Sequence, residues 1–120
     1  MKILIIDDEQ GILDMYSQYL VANNHAVFTA LDGEKGIKAA HDNKPEVIFL
    51  DIIMPKYNGL DVLQNIKKDE ELKNIPVYLL TNLPEESSGG KATELGAAGY
   101  LFKADNEPRN LLDVINKINK

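Results

Sequence analysis

The stretch LIIDDEQ, residues 4–10, runs apolar through Ile6 and then places carboxylates side by side at Asp7, Asp8 and Glu9. Two unit charges about 4 Å apart repel each other by about 4 kcal/mol at an effective dielectric constant near 20. A cation should therefore offset the charge of the adjacent aspartates, and the remainder of the chain must provide the place for it.

Continuous apolar runs recur along the chain and are typical of strands. They occupy residues 3–6, 47–50, 77–80 and 100–102. Because these runs do not alternate with polar residues, they indicate strands that are covered on both faces, as in a parallel sheet. Residues 25–30 mix polar and apolar side chains, which predicts an edge strand.

Helical patterns separate the strands. Apolar residues recur at helical spacing in two segments, which contain Ile12, Met15, Tyr16, Tyr19 and Leu20, and Leu111, Leu112, Ile115 and Ile118. Asp32 and Asn58 can each accept a hydrogen bond from the first turn of a helix, which predicts helices over residues 33–43 and 59–69.

The fourth helix has a poor sequence. The segment PEESSGGKATEL, residues 84–95, places two serines and two glycines where the first turns should be. Each glycine costs about 1 kcal/mol relative to alanine within a helix. We therefore expect helix 4 to be short, to start late or to be mobile.

Strands and helices thus alternate as βαβαβαβαβα, an α/β pattern. Right-handed crossovers wind such a chain into a doubly wound parallel sheet with helices on both faces, and five strands favour the order 2-1-3-4-5. Ligands in such sheets bind at the carboxyl ends of the strands, next to the point between strands 1 and 3 where the order reverses. We expect one domain over residues 1–120, with five helices.

Composition excludes several classes of function. The 120 residues carry a net charge of −6 with a pI near 4.8, which disfavours direct binding to nucleic acid or to anionic membranes. Cysteine is absent, as is common in the reducing cytoplasm, and the N-terminal apolar run is too short for a signal peptide or a membrane span. We therefore expect a cytoplasmic domain.

Polar residues end four of the predicted strands. Strand 1 ends in Asp7-Asp8, strand 3 in Asp51, strand 4 in Thr81 and strand 5 in Lys103. Because the carboxyl ends of parallel strands share one edge, we expect three carboxylates to converge there, with a hydroxyl and an ammonium beside them. Lys103 could offset only one of three negative charges, so we expect a hard divalent metal, Mg²⁺, as the cation.

These residues carry a resemblance to a known family. The pair DD at 7–8, DIIMP at 51–55, Thr81 and GYLFK at 99–103 closely resemble the receiver domain of two-component response regulators, of the chemotaxis-receiver type. The resemblance covers nearly the whole chain. It implies a flavodoxin-like fold and a phosphoacceptor signalling domain that catalyses only its own phosphorylation and dephosphorylation, rather than an enzyme.

The resemblance also implies roles and partners. Asp51 would accept a phosphoryl group from a histidine kinase or a histidine phosphotransfer protein, and a downstream protein or a fused output domain would respond. Mg²⁺ would bind to Asp8, Asp51 and the backbone carbonyl of Ile53, and to Asp7 through water. Lys103 and Thr81 would contact the phosphoryl group, and Thr81 and Tyr100 would switch the surface formed by helix 4, strand 5 and helix 5.

Some positions depart from the family pattern. Asn82 stands where the family usually has a small residue, and Ala104 where it usually has proline, often in a cis bond, so we expect a trans bond. Ile53 and Leu83 are apolar where the family's residues flank the phosphoryl group and can place the attacking water. Asn82, Ala104 and the glycines of helix 4 favour a pseudo-receiver, a phosphorylation-independent interaction module, as the alternative. The intact set at the strand ends argues against it: Asp7, Asp8, Asp51, Thr81 and Lys103.

Simpler interpretations remain open for each element. Asp7 and Asp8 could be N-caps of a helix over residues 9–22, and Tyr100 could be a core residue. His25 and His41 are interpreted as surface residues without a phosphohistidine or metal role. A flavodoxin-like FMN carrier needs a loop rich in Ser, Thr and Gly after strand 1, which DDEQG is not. A phosphatase of the haloacid dehalogenase type needs Asp-x-Asp, a spacing that neither DDE nor DII supplies.

Overall fold

The computed structural model describes residues 1–54, 58–82, 85–103 and 107–118, without the side chains of residues 85–89. Strands and helices alternate through the described chain as predicted. The strands are β1 (Lys2–Ile6), β2 (Ala26–Ala30), β3 (Val47–Leu50), β4 (Val77–Thr81) and β5 (Gly99–Phe102). The helices are α1 (Gln10–Ala22), α2 (Gly33–Asn43), α3 (Gly59–Lys68), α4 (Glu85–Glu94) and α5 (Pro108–Ile118).

All five strands form one parallel sheet in the order β2-β1-β3-β4-β5. The predicted order is confirmed, and β2 is an edge strand as expected. Ile6 at the end of β1 lies in register with Ala30 of β2 and Leu50 of β3. The strand order reverses between β1 and β3. The expected binding site therefore lies at the carboxyl ends of these two neighbouring strands.

Two apolar layers cover the sheet, one on each face. The first contains buried side chains of α1 and α5, together with Ile3, Ile5, Val47, Phe49 and Leu80. The second contains buried side chains of α2, α3 and α4, together with Leu4, Ile6, Ile48, Leu50, Val77 and Leu79. Strands covered on both faces explain why the apolar runs in the sequence are continuous.

The buried face of α1 differs in part from the prediction. Tyr16 and Leu20 are buried as expected, but Met15 is 43% exposed and Leu13 is buried in its place. The helix is rotated so that Leu13, Tyr16 and Leu20, at positions i, i+3 and i+7, contact the sheet. The spacing of apolar residues alone fits both rotations, and packing against the sheet selects this one.

The two predicted helix caps are present. Asp32 accepts a hydrogen bond from the backbone N–H of Lys35 at 2.8 Å, and α2 spans the predicted residues. Asn58 accepts from the backbone N–H of Leu60 at 2.8 Å, and α3 ends at Lys68, one residue earlier than expected.

The expected late start of α4 is wrong, because the helix begins at Glu85 and has 10 residues. Packing at its C-terminal end compensates for the weak sequence: Ala92 is buried in the second layer, and Gly96 closes the end with a positive φ of 99°. Tertiary packing commonly outweighs intrinsic propensity in this way. A Cβ added at the exposed Gly90 would meet no atom within 4 Å.

His25 directly precedes β2, and His41 belongs to α2. Both side chains are half-buried rather than fully exposed. His41, in the last turn of α2, places Nε2 2.8 Å from Asp69 and Nδ1 3.2 Å from Glu71. In the part of the chain that the structure describes, no helix has both the length and the apolar character to cross a membrane.

Candidate functional site

The carboxyl edge of the sheet collects the polar residues predicted for it. Asp7 follows β1, Asp51 follows β3, Thr81 is the last residue of β4, and Lys103 follows β5. Backbone hydrogen bonds of 3.0 Å continue the sheet into the site, from the N–H of Asp7 to Ala30 and from the N–H of Asp51 to Ile6. The sheet itself thus fixes the two buried aspartates.

Three carboxylates converge at this edge, as expected from the sequence. Oxygen atoms of Asp7, Asp8 and Asp51 all lie within 4.8 Å of one another. Asp7 is 1% and Asp51 5% exposed, and Asp8 is the most accessible of the three. The helix N-cap of α1 is Glu9, without a side-chain hydrogen bond, so the interpretation of Asp7 and Asp8 as N-caps is wrong.

Lys103 shares its single positive charge between two of the three carboxylates. Its Nζ donates to Asp7 Oδ2 at 2.7 Å and to Asp51 Oδ2 at 3.2 Å. Burial by itself lowers the pKa of Lys103, but the hydrogen bond to Asp7 and the charge of Asp51 outweigh burial and leave this pKa raised. Burial raises the pKa of Asp7, against the opposing effect of its bond with Lys103.

A cavity of about 260 Å³ opens above these groups. Its lining consists of Asp8, Glu9, Asp51, Ile53, Thr81, Asn82 and Lys103. Ile53 is 57% exposed at the mouth, and Asn82 is also exposed. The sequence analysis assigned no role to Glu9. Its position directly after Asp8 could have indicated that it lies beside the cluster.

The two predicted switch residues, Thr81 and Tyr100, differ in how deeply they are buried. Thr81 is fully buried at the end of β4, within the cavity lining. Tyr100 is half-buried and packs against the layer of α2, α3 and α4. The predictions for Leu83 and for the peptide bond of Ala104 fall outside the described residues.

Gly59 fixes the loop that carries Asp51, a role that sequence reasoning missed. Its N–H donates to the carbonyl of Ile52 at 2.8 Å, and the N–H of Ile53 donates to Asp51 Oδ1 at 3.3 Å. A Cβ added at Gly59 would overlap the backbone carbonyl of Asp51 and lie 2.5 Å from Cα of Ile52. Only glycine permits this approach of α3 to the loop; the signal in the sequence was a glycine directly after the Asn58 cap.

The acidic cluster suits a hard divalent cation. Mg²⁺ prefers oxygen ligands and is commonly held by one or two carboxylates with several waters. Carboxylate oxygens from three residues lie within 4.8 Å of one another, and two of these residues, Asp8 and Asp51, line the cavity, so they supply that kind of ligand. The donor set therefore fits Mg²⁺.

Comparison with known proteins gives consistent matches. The family described as "Response regulator receiver domain" matches residues 3–116. The alkaline phosphatase synthesis transcriptional regulatory protein PhoP of Bacillus subtilis is 35% identical over 102 residues, which cover 85% of this chain and 42% of PhoP. Protein PilH of Pseudomonas aeruginosa is 33% identical over 117 residues, which cover 98% of this chain and 96% of PilH.

Solved structures show the same fold. The chemotaxis protein CheY4 of Vibrio cholerae superposes with a TM-score of 0.90 at 27% identity, covering 98% of this chain and 97% of CheY4. The chain therefore belongs to the family of response regulator receiver domains, the signalling modules of two-component phosphorelays. Aspartate phosphorylation and magnesium binding are features of that family. The chain spans about two fifths of the length of PhoP and nearly all of PilH.

Proposed function

We propose that this domain accepts a phosphoryl group on Asp51 from a phosphohistidine of a histidine kinase or a histidine phosphotransfer protein. One observation carries the proposal: the Asp51 carboxylate is buried in the floor of an open cavity, 3.2 Å from the Lys103 ammonium and within 4.8 Å of two further carboxylates. Phosphoryl transfer needs little covalent chemistry from the protein and depends on positioning and electrostatic stabilisation.

Several residues of the chain would have separate roles in this reaction. A carboxylate oxygen of Asp51 attacks phosphorus, the P–O bond forms as the P–N bond to imidazole breaks, and the departing imidazole takes up a proton. Lys103 offsets negative charge on the transferred group. Asp8, Asp51 and the backbone carbonyl of Ile53 would hold Mg²⁺, and Asp7 would hold it through water. When bound, the ion would supply positive charge that stabilises the transferring phosphoryl group.

The response would pass through Thr81 and Tyr100. The Thr81 hydroxyl would bond to a phosphoryl oxygen and draw the loop after β4 inward, and Tyr100 would follow into the space that this movement opens. The population of states of the surface formed by α4, β5 and α5 would shift, and a downstream protein or a fused output domain would read it. We propose that residues 1–120 act as one receiver domain, whether a separate downstream protein or a fused output domain responds to it.

The intact mass of the protein tests the acceptor. Wild type incubated with Mg²⁺ and a small acyl phosphate should gain one phosphoryl group, and Asp51→Asn should gain none. Asp61→Asn, which changes an exposed aspartate on α3, should behave as wild type. An adduct that forms at wild-type yield in Asp51→Asn, or that maps to His25 or His41, would refute the assignment.

A pseudo-receiver is the second candidate. Lys103 already bonds to Asp7 and Asp51, so the cluster is satisfied in part without ligand. A wild-type protein that gains no phosphoryl group from either an acyl phosphate or a phosphorylated kinase would favour this function.

A further inference from the structure

We propose that Lys67 anchors the C-terminal end of α4, so that α4 moves as a lever about this end. The Lys67 side chain lies against Gly96 and bonds to the residues that lead into β4. The moving end of the lever rests on the proposed function, because its movement would start at Thr81 when Asp51 accepts a phosphoryl group. The anchor itself does not depend on that function.

The side chain of Lys67 reaches from the last turn of α3 to two other segments. Its Nζ donates to the backbone carbonyl of Ile75 at 2.8 Å and to that of Lys73 at 3.2 Å. Its stem passes Gly96, where an added Cβ would lie 3.4 Å from Cγ, 3.5 Å from Cδ and 3.6 Å from Cε of Lys67. Lys67 thus joins the end of α3, the residues before β4 and the turn after α4.

The burial of Lys67 is explained by these contacts. The side chain is half-buried, and burial lowers the pKa of its ammonium. Burying a charge costs free energy unless hydrogen bonds compensate for it, and the two carbonyls provide such bonds. The apolar stem of a lysine gains free energy by packing along the protein surface. Lys68, the next residue, is exposed and therefore offers a matched control.

The end of α4 beside this anchor is tightly closed. The N–H of Gly96 donates to the carbonyl of Thr93 and the N–H of Ala97 to that of Ala92, both at 3.0 Å. With a φ of 99° at Gly96, these two bonds form a Schellman motif. Among the α4 side chains that the structure describes, Ala92 is the buried one. The described packing of α4 is therefore concentrated near its C-terminal end.

The opposite end of α4 is linked directly to the site. Thr81 ends β4 within the cavity lining, and α4 begins four residues later at Glu85. Farther along the helix, the space around Gly90 is open, because a Cβ added there would meet no atom within 4 Å. A displacement of Thr81 would therefore reach the start of α4 through a short connection, while Lys67 holds the other end at Gly96.

Amide hydrogen exchange in the unphosphorylated protein tests the anchor. Lys67→Ala removes the stem and the ammonium, and Lys68→Ala removes the same side chain from the exposed neighbouring position. We expect about tenfold faster exchange at Gly96 and Ala97 in Lys67→Ala than in Lys68→Ala, because local opening frees the N–H groups that close the helix. Exchange at Leu50, in the central strand, should be equal in both variants.

Lys67→Met separates the two contacts of the side chain. It keeps most of the apolar stem and removes the ammonium, so exchange at Gly96 should stay within about threefold of Lys68→Ala. Exchange at Gly96 that is the same in Lys67→Ala and Lys68→Ala would overturn the anchor. So would an acceleration in Lys67→Ala that is equally large at Leu50, which marks loosening of the whole fold, or an acceleration in Lys67→Met as large as in Lys67→Ala.

Spectra of ¹H–¹⁵N amides before and after phosphorylation test the lever. The charge of the phosphoryl group acts on the Gly96 amide equally in wild type and in Lys67→Ala, so a difference between the two proteins reports on the anchor. We expect the shift of the Gly96 signal on phosphorylation to be roughly twofold larger in Lys67→Ala, because that end of α4 is then free to follow. Equal shifts in the two proteins would overturn the lever.

The outcomes separate this inference from the proposed function. If wild type accepts no phosphoryl group, the proposed function and the moving end of the lever fail together, and the exchange rates decide the anchor. If wild type is phosphorylated on Asp51 and Lys67→Ala exchanges like Lys68→Ala at Gly96, the inference fails and the proposed function stands.

Discussion

The Lys103 ammonium is the internal counter-ion of the site. It is nearly buried and bonds to Asp7 at 2.7 Å and to Asp51 at 3.2 Å, so its removal leaves two buried carboxylates without a cation. Breaking a buried ion pair at one partner costs on the order of 3–5 kcal/mol. In the metal-free protein, Lys103→Met should therefore be markedly less stable at neutral pH.

The difference in stability between wild type and Lys103→Met should depend on pH, because the pKa of Lys103 is raised in the folded protein. A lysine whose pKa is higher in the folded than in the unfolded state contributes its full stability below the unfolded pKa of about 10.4, and loses it as pH rises through the folded pKa. Urea unfolding of wild type and Lys103→Met should thus show a difference in the free energy of unfolding that is constant from neutral pH to about pH 10 and narrows above it. Lys38→Met, at an exposed ion pair, is the control. A gap that stays constant to pH 12 would contradict this prediction.

Ile53 should set the lifetime of the phosphoryl group. Hydrolysis needs a water in line with phosphorus, and the exposed Ile53 at the cavity mouth can neither donate nor accept a hydrogen bond to orient it. We expect slow autodephosphorylation in wild type and roughly tenfold faster loss in Ile53→Asn, below the ~10²-fold of a true general base. Leu83→Glu should act in the same direction.

The loss of phosphoryl group is followed by intact mass after removal of the donor. Leu31→Asn, which changes an exposed leucine outside the cavity lining, controls for a general effect of polarity. Wild type that loses its phosphoryl group within seconds, or slower loss in both Ile53→Asn and Leu83→Glu, would disprove the role of these side chains.

Among the helices, α4 has the clearest route to greater stability. Gly90 lies in its interior, and a Cβ added there meets no atom within 4 Å. Gly90→Ala should raise the free energy of unfolding by about 1 kcal/mol, the difference in helix propensity. Denaturant unfolding measures it, and Gly11→Ala, equally free of contacts in α1, provides a matched comparison. A loss of stability in Gly90→Ala would contradict the open space around this position.

At the start of α3, replacing a glycine by alanine should lower the free energy of unfolding rather than raise it. Gly59→Ala forces a methyl group into the backbone at Asp51 and Ile52, so either α3 or the loop must move. Because neither obstacle is a flexible side chain, we expect a loss of about 2–3 kcal/mol and a lower rate of phosphorylation. Wild-type stability in Gly59→Ala would contradict the close approach.

Local sequence signals predicted most elements, and tertiary packing decided the rest. The run VIFL marks β3 to the residue, and Asp32 marks the start of α2, because apolar continuity and capping are local. The rotation of α1 toward Leu13 and the full length of α4 depend on contacts with the sheet. At the site, strand ends predicted the cluster, but the closer bond of Lys103 to Asp7 than to Asp51 requires the folded structure.

At the scale of the whole molecule, Mg²⁺ should stabilise the fold. An ion that binds the folded state alone adds about 1.4 kcal/mol at ten times its dissociation constant. Asp8→Ala should weaken this response sharply while raising the melting temperature of the metal-free protein, because it removes a repelling charge from the cluster.

Thermal melts with and without millimolar Mg²⁺ test this prediction. Asp61→Ala, an exposed acid on α3 outside the cluster, should keep the wild-type response to the ion. A wild-type melting temperature that Mg²⁺ leaves unchanged would count against a metal site at this edge.

The bond between Lys103 and Asp7 joins residues 96 positions apart, from the first strand and the last. At a translation rate of ~5–20 residues per second, Asp7 emerges from the ribosome roughly 5 to 20 seconds ahead of Lys103. In the second half of that interval a nascent chain holds β1 and β3, with their acids, but not the ammonium that joins them. The residue that follows the last strand to be synthesised therefore completes the ion pair, and until then the proposed acceptor Asp51 lacks its internal counter-ion.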